Sequence, residues 1–316
     1  MTANRGTPQA AQAARPVRSG SVAAWMVAIR PHSLLVAFSP VLVGATLGYA
    51  RAGAIDLLAA ALVLGAALLV QVITNMQNDV GYTVRGGDSS GTRTGLPRAT
   101  SSGWLSVRHV RAAIVLAALL ATALGLALVA YRGWPVLAIG VASLAAALAY
   151  MGGPRPIAYT PLGELTVFVF FGLVAVMGTD WVLTAEVGVV SALASVAIGG
   201  LAAAALAVNN HRDVAHDRLV GRRTFAATFG ERASLRLYTL LLLGPLALVP
   251  PMALLGGTAA LLLPLLLLPA ALQLRHDFGR CPPGTAFNEI LFRTFRLELW
   301  FAALLSAGAL LGRVFA

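Results

Sequence analysis

Apolar residues arrive along this chain in long blocks, separated by short charged or glycine-rich stretches. Nine blocks are long enough to read as membrane-crossing helices: 25–49, 57–76, 112–130, 135–150, 165–183, 187–208, 237–254, 259–274 and 297–311. Pro31 and Pro40 lie in or near the first block and predict a break or kink there. No repeat of 20–50 residues is present, which excludes solenoid architectures. The expected fold is all-α, an integral membrane bundle of about nine transmembrane helices around a central cavity. One domain is expected over 23–316, behind a disordered cytoplasmic tail at 1–22 that has no apolar signal-peptide core.

Composition supports the membrane reading. Hydrophobic residues make up 58% of the 316 and charged residues 11%, too little polar surface for a soluble core of this size. Mean hydropathy is +0.81. The net charge of +11 would suggest nucleic acid if it were clustered on one surface, but its distribution argues otherwise. Every basic residue is arginine, and all but Arg51, Arg132 and Arg313 fall in the N-terminal tail or in alternate connections. Those connections run about 77–111, 151–164, 209–236 and 275–296. The positive-inside rule then places the N-terminus and these loops in the cytoplasm, the expected membrane is the bacterial cytoplasmic membrane, and an odd number of spans puts Ala316 outside. The single cysteine, Cys281, allows no disulfide within the chain.

Two charged strings follow apolar blocks. The first runs from Asn78-Asp79 through Tyr82, Arg85, Gly86 and Gly87 to Asp88, and the second from Asn209-Asn210 through Arg212, Asp213 and Asp217 to Arg218. Carboxylates and arginines are costly beside lipid and require a reason. Mixed together, they suit a diphosphate held through magnesium, with oxygen ligands on the metal and guanidinium groups on the remaining phosphate oxygens. Asn209, Asp213 and Asp217 are spaced by four and share one face of a continuing helix. The candidate metal set is Asn78, Asp79, Asp88, Asn209, Asp213 and Asp217, with Asp79, Asp213 and Asp217 the catalytic acids. Arg85, Arg98, Arg155, Arg212, Arg218, Arg222 and Arg223 are candidates for the diphosphate. A solvated helix end would carry a similar pattern, and the arginines that follow tilt the reading toward a ligand.

A third segment, 150–159, joins two spans on the same side through Gly152-Gly153-Pro154, a turn composition. Tyr150 and Tyr159, with Tyr82, are candidates to face a cationic centre with a ring; interfacial anchoring would use Tyr150 and Tyr159 equally well. None of the five histidines sits in a nucleophile pattern, and no HExxH, GxSxG or Walker loop occurs. Asp180, beside Trp181 at the outer end of the fifth block, has no evident partner in sequence.

Together these residues resemble the UbiA-type membrane prenyltransferase superfamily, most closely its 1,4-dihydroxy-2-naphthoate polyprenyltransferase branch of menaquinone biosynthesis. The likeness runs from Trp25 onward. It is carried by Arg30-Pro31 with Pro40 to Gly44, by Gly153 to Pro156 with Gly163-Glu164 and 167–172, by Asn209 to Arg218 with Gly221 to Thr224, and by Arg293 to Leu297. The resemblance implies nine helices around a cavity, Mg2+ as cofactor, a polyprenyl diphosphate donor and a small aromatic acceptor, with no nucleic acid involved. It also implies departure of diphosphate, capture of the allylic cation by the ring and loss of the ring carboxylate as carbon dioxide. The chain departs from that branch at Tyr82, where its first motif has a second acid. A phenol is neutral near pH 7 and a poor magnesium ligand. Either the remaining acids suffice or the site is reshaped. The alternatives are a specialised-metabolite prenyltransferase or membrane terpene cyclase, and, from another class, a non-catalytic isoprenoid transporter or scaffold.

Overall fold

The structure is a computed structural model that describes residues 17–87 and 94–314. Its described residues are helical, and nine helices are long and apolar enough to cross a membrane. A short entry helix, Val22–Ile29, is capped by Ser21. The first span, Pro31–Ala52, then begins with proline at its first turn, where the missing N–H costs nothing. The break expected near Pro31 therefore falls at Arg30, which takes the left-handed conformation at φ 55°. The carbonyl exposed at this corner is satisfied from the second span: Asn75 Nδ2 donates to Ile29 O at 2.7 Å and to Ser33 Oγ at 2.8 Å. Residues 17–21 are not a free tail. Gly20 N–H donates to Trp104 O at 2.8 Å and ties the entry strand to the loop before the third span.

The remaining spans are Leu57–Val84, Val107–Arg132, Trp134–Met151, Gly163–Thr184, Val189–Arg212, Glu231–Leu255, Ala259–Arg280 and Phe287–Val314. Two outrun their apolar blocks in a way that matters for the site. The second continues eight residues past Met76, so the first motif is helical, and the ninth starts ten residues earlier than its block. Hydropathy marks where a helix meets lipid, whereas these extensions are buried against other protein segments. Gly81 sits within the second span at a close contact: a Cβ there would lie 2.9 Å from Met151 Cβ.

Packing divides into two bodies. The larger core joins the first, sixth, seventh, eighth and ninth spans, and a smaller one joins the entry helix to the second and third. Gly172 and Gly199 let the fifth and sixth spans approach closely, since a Cβ on Gly172 would lie 2.7 Å from Gly199 Cα. The middle of the fifth span, Phe168–Met177, is wound as a π-helix. A cavity of about 970 Å³ lies between the two bodies.

At the end of the bundle remote from both motifs, Asp180 does have a partner. Arg51 Nη2 reaches its Oδ1 at 3.0 Å and Nη1 reaches Glu186 at 2.7 Å, while Gly188 N–H donates to Asp180 Oδ2 at 3.0 Å. This clasp joins the first, fifth and sixth spans. Asp180 is fully buried and Arg51 about one-third exposed (32%). Arg51→Ala is therefore expected to cost about 1–3 kcal/mol, below the range for a fully buried pair because water reaches the arginine. A lowered melting temperature in detergent with unchanged kcat is the expected result; a loss of turnover at unchanged melting would contradict a purely structural clasp.

Candidate active site

The cavity is polar at one end only. On the second span, Gln71, Asn75, Asn78 and Tyr82 recur at helical spacing and line it. From the opposite body, Asn209, Asn210, Arg212 and Asp213 line it at the end of the sixth span, with Arg98 and Arg222 contributed by loops. The two strings thus meet across one lumen. Asn78, Asn209 and Asp213 present oxygens to it. Asp213 is held in a fork, with Arg212 Nε 3.0 Å from Oδ1 and Nη2 2.8 Å from Oδ2, and Arg212 Nη1 reaches Asn288 at 2.9 Å.

Not every candidate reaches the lumen. Asp79 faces the other way, its carboxylate accepting from Ala99 N–H and Thr100 N–H, each at 2.8 Å, and from the Thr100 hydroxyl. Asn78 and Asp79, adjacent on a helix, point about 100° apart, and here Asn78 lines the lumen while Asp79 does not. What Asp79 does is fix the 98–100 turn and thereby Arg98. The stripe of Asn209, Asp213 and Asp217 is also interrupted. The sixth span ends at Arg212, Asp213 is its cap residue, and a separate short helix, Val214–Leu219, carries Asp217 away from the lumen. Asp88 lies outside the described residues. Arg85 donates to Gly153 O beside the ring of Tyr159, outside the lumen, and Arg155, Arg218 and Arg223 are exposed on the same end of the bundle. Tyr150 lines the cavity, while Tyr159 stands outside it near Arg85 and Arg222.

Arg222 is the hub of the polar end. It is buried, donates to Asp217 Oδ1 at 2.6 Å and to the Tyr82 hydroxyl, and reaches Ala158 O at 3.1 Å. Arg98 lies over the opposite feature of the same tyrosine, its guanidinium against the ring face. Tyr82, in the position where the resemblance led us to expect an acid, therefore holds two arginines at the lumen through its oxygen and its π-face. Burial, with Asp213 nearby, pushes the Asp217 carboxyl up to about 8, while Thr224, Arg98 and Arg212 pull it back. Burial also lowers Arg222 to about 9. The Arg222 guanidinium at 2.6 Å favours the ionised form of this carboxyl and opposes the effect of burial.

Three features were given no role in the sequence reading. Arg30, Ser33, Gln71 and Asn75 form a polar corner on the lumen wall; Asn75 and Gln71 lie three and seven residues before Asn78, a helical periodicity that could have flagged them. Glu164 is buried and accepts from Asn210 Nδ2 at 2.9 Å. Along the fifth span, lining residues recur every four positions: Thr166–Val167, Phe170–Phe171, Val174–Ala175, Gly178–Thr179, then Val182. A regular α-helix would rotate such a stripe by about 40° per step, and the wider π winding counters that drift.

Among the described residues, no group of three His, Cys, Asp or Glu side chains could hold a metal by itself. The set that does face the lumen, one carboxylate and two amides, fits magnesium nonetheless. That ion keeps several waters and takes one or two carboxylates plus substrate phosphates.

A lipid-embedded helical bundle, holding arginines and metal-compatible oxygens at the head of an apolar lumen, is built for an amphiphile with an anionic head. Residues 37–288 match the UbiA prenyltransferase family. The chain is 36% identical over 230 residues to the 1,4-dihydroxy-2-naphthoate octaprenyltransferase of Escherichia coli, covering 71% of this chain and 74% of that one. To the Mycobacterium leprae protein of the same name it is 31% identical over 296 residues, covering 93% and 99%. In fold it matches a UbiA homolog from Archaeoglobus fulgidus bound to GPP and Mg2+, with TM-score 0.65, 18% identity and coverage of 90% and 99%. This chain belongs to the UbiA prenyltransferase family, and it is a membrane-bound prenyltransferase.

Proposed function

We propose that the protein transfers a polyprenyl group from a polyprenyl diphosphate to 1,4-dihydroxy-2-naphthoate, on the cytoplasmic side of the membrane. The observation that carries this reading is the lumen itself, with Arg98, Arg212 and Arg222 gathered at its polar head and apolar walls beyond. Asn78, Asn209 and Asp213 would hold magnesium there, with Asp217 and Asp79 fixing Arg222 and Arg98 from behind. Bound magnesium supplies positive charge to the diphosphate oxygens. The arginines stabilise the charge that builds as the allylic C–O bond breaks, and the apolar walls keep water from the cation. An electron-rich ring carbon forms the new C–C bond, and the ring carboxylate leaves as carbon dioxide. The exposed Arg85, Arg155, Arg218 and Arg223 are assigned to drawing the anionic donor toward the lumen mouth.

Purified protein given a polyprenyl diphosphate, magnesium and dihydroxynaphthoate is expected to form the prenylated, decarboxylated 1,4-naphthalenediol, read by mass spectrometry. No such product with any donor length would overturn the acceptor assignment. The pH profile is a second check. Asp217 must lose its proton to pair with Arg222, which stays charged throughout, so kcat/KM should climb as pH rises toward about 8. The limb belongs to the coupled pair, and a profile flat from pH 6 to 9 would contradict the role given to it.

A further inference from the structure

A second cavity, of about 360 Å³, lies at the motif end of the bundle where the second, third and fourth spans meet. It shares no lining residue with the lumen. The second span borders both: Asn75, Asn78 and Tyr82 face the lumen, while Gln77, Gly81 and Val84 form a separate face of the same helix toward the smaller cavity. Arg85 follows at the end of that helix, Arg111 comes from the second turn of the third span, and Gly152-Gly153 closes the fourth. Arg85 donates to Gly153 O. Gly153 itself takes φ 71°, and a Cβ built on it meets nothing within 4 Å.

None of the residues lining this cavity is acidic, so two guanidinium groups share it without a counter-charge from its walls. Their placement also runs against the helix. Arg108 and Arg111 stand in the first two turns of the third span, where the macrodipole is positive and favours anions. The positive-inside rule accounts for arginines at this end, but not for a hollow built around two of them. What lies beyond Arg111 is apolar. Val115, Leu116 and Leu119, one to two turns further along the third span, are exposed and line neither cavity. Leu148, one turn before Gly152 on the fourth span, is likewise exposed and lines neither. On a membrane-embedded bundle such side chains meet lipid. A basic hollow therefore stands about one turn from an aliphatic, lipid-facing surface.

We propose that this hollow binds the headgroup of an anionic phospholipid, with Arg85 and Arg111 on the phosphate and the acyl chains along the third and fourth spans. The class of ligand follows from the two halves of the site. A phosphodiester matches paired guanidinium groups at a membrane surface, and Gln77 supplies amide donors to its remaining oxygens. The aliphatic surface beyond Arg111 suits acyl chains and is of no use to a soluble anion. A lipid seated there bridges the ends of three spans, so its effect falls on the stability of the smaller packed body and not on prenyl transfer. The inference is independent of the reading given to the lumen.

The test uses the full chain, delipidated in a nonionic detergent, with phosphatidylglycerol, phosphatidylcholine or inorganic phosphate added. Bound lipid is read by native mass spectrometry and stability by melting temperature. Arg111 is varied because Arg85 already belongs to the donor's approach, and Arg232, exposed at the same end on the seventh span, is the control. Wild type is expected to bind phosphatidylglycerol about tenfold more tightly than phosphatidylcholine and to melt higher with it. Arg111→Gln should weaken phosphatidylglycerol binding about fivefold, the scale of one cationic contact at a membrane surface, and Arg111→Glu should weaken it further. Arg232→Glu should stay within about twofold of wild type. Melting without lipid checks that each variant is folded. Equal losses in Arg111→Glu and Arg232→Glu would reduce the effect to net charge and overturn the site, as would equal binding of both lipids by wild type. Inorganic phosphate that displaces phosphatidylglycerol at equal concentration would mark a free-anion site and overturn the lipid assignment. No prenyl donor or acceptor enters these measurements, so their failure is separate from failure of the proposed reaction.

Discussion

Arg222→Ala is expected to abolish prenyl transfer and to destabilise the protein together. The guanidinium pairs at 2.6 Å with a fully buried Asp217 carboxylate, and removing one member of such a pair costs about 3–5 kcal/mol. It also leaves the Tyr82 hydroxyl and Ala158 carbonyl without their donor. Two effects are therefore superimposed, and Arg222→Lys separates them. An ammonium restores charge beside Asp217 but cannot reach three acceptors in the directions a planar fork does. Arg222→Lys should recover most of the melting temperature in detergent while kcat stays at least a hundredfold down, the scale set by losing one preorganised donor to a developing anion. Wild-type turnover in Arg222→Lys would show that the fork geometry is dispensable and that Arg222 is no more than a counter-charge.

Asp213→Asn is the complementary experiment. Asp213 is the one carboxylate that lines the lumen from the sixth span, and Arg212 grips both of its oxygens. The amide keeps the volume and one acceptor but removes the charge that a magnesium–diphosphate pair needs. Turnover should fall by two orders of magnitude or more, with melting lowered only modestly because Arg212 retains Asn288. Raising magnesium should not restore the rate. Turnover within a few-fold of wild type would remove Asp213 from the metal site. By contrast, Asp79→Asn is expected to act through Arg98: it weakens the acceptor of the Ala99 and Thr100 N–H groups, and its defect should appear chiefly in KM for the donor.

The chain of contacts through Tyr82 shows why residue chemistry and motif pattern need not conflict. As a magnesium ligand a phenol is poor, and in that role Tyr82 would be a defect. As an acceptor for Arg222 and a platform for Arg98 it keeps two positive charges at the lumen without adding a negative one. The polar head of this site is accordingly richer in net positive charge than the motif with its full complement of acids would be.

Much of the protein was legible in its sequence because the bilayer is a demanding solvent. Backbone groups in lipid must be satisfied within each segment, so nine apolar blocks could become only helices, and the block boundaries locate them. The arginines gather at alternate connections, and carboxylates beside lipid need a ligand or a partner; both strings stood out as candidates for a site on that ground. What sequence spacing could not decide was direction. Whether Asn78 or Asp79 faces the lumen depends on how far the second span continues and on the rotation set by packing against neighbouring helices. Hydropathy stops at the membrane boundary and carries no information on either. The partner of Asp180 and the contacts that hold Asp217 behind Arg222 arise between segments brought together by the fold. They depend on which helices touch, a property of tertiary packing that a one-dimensional pattern of apolar and charged residues does not contain.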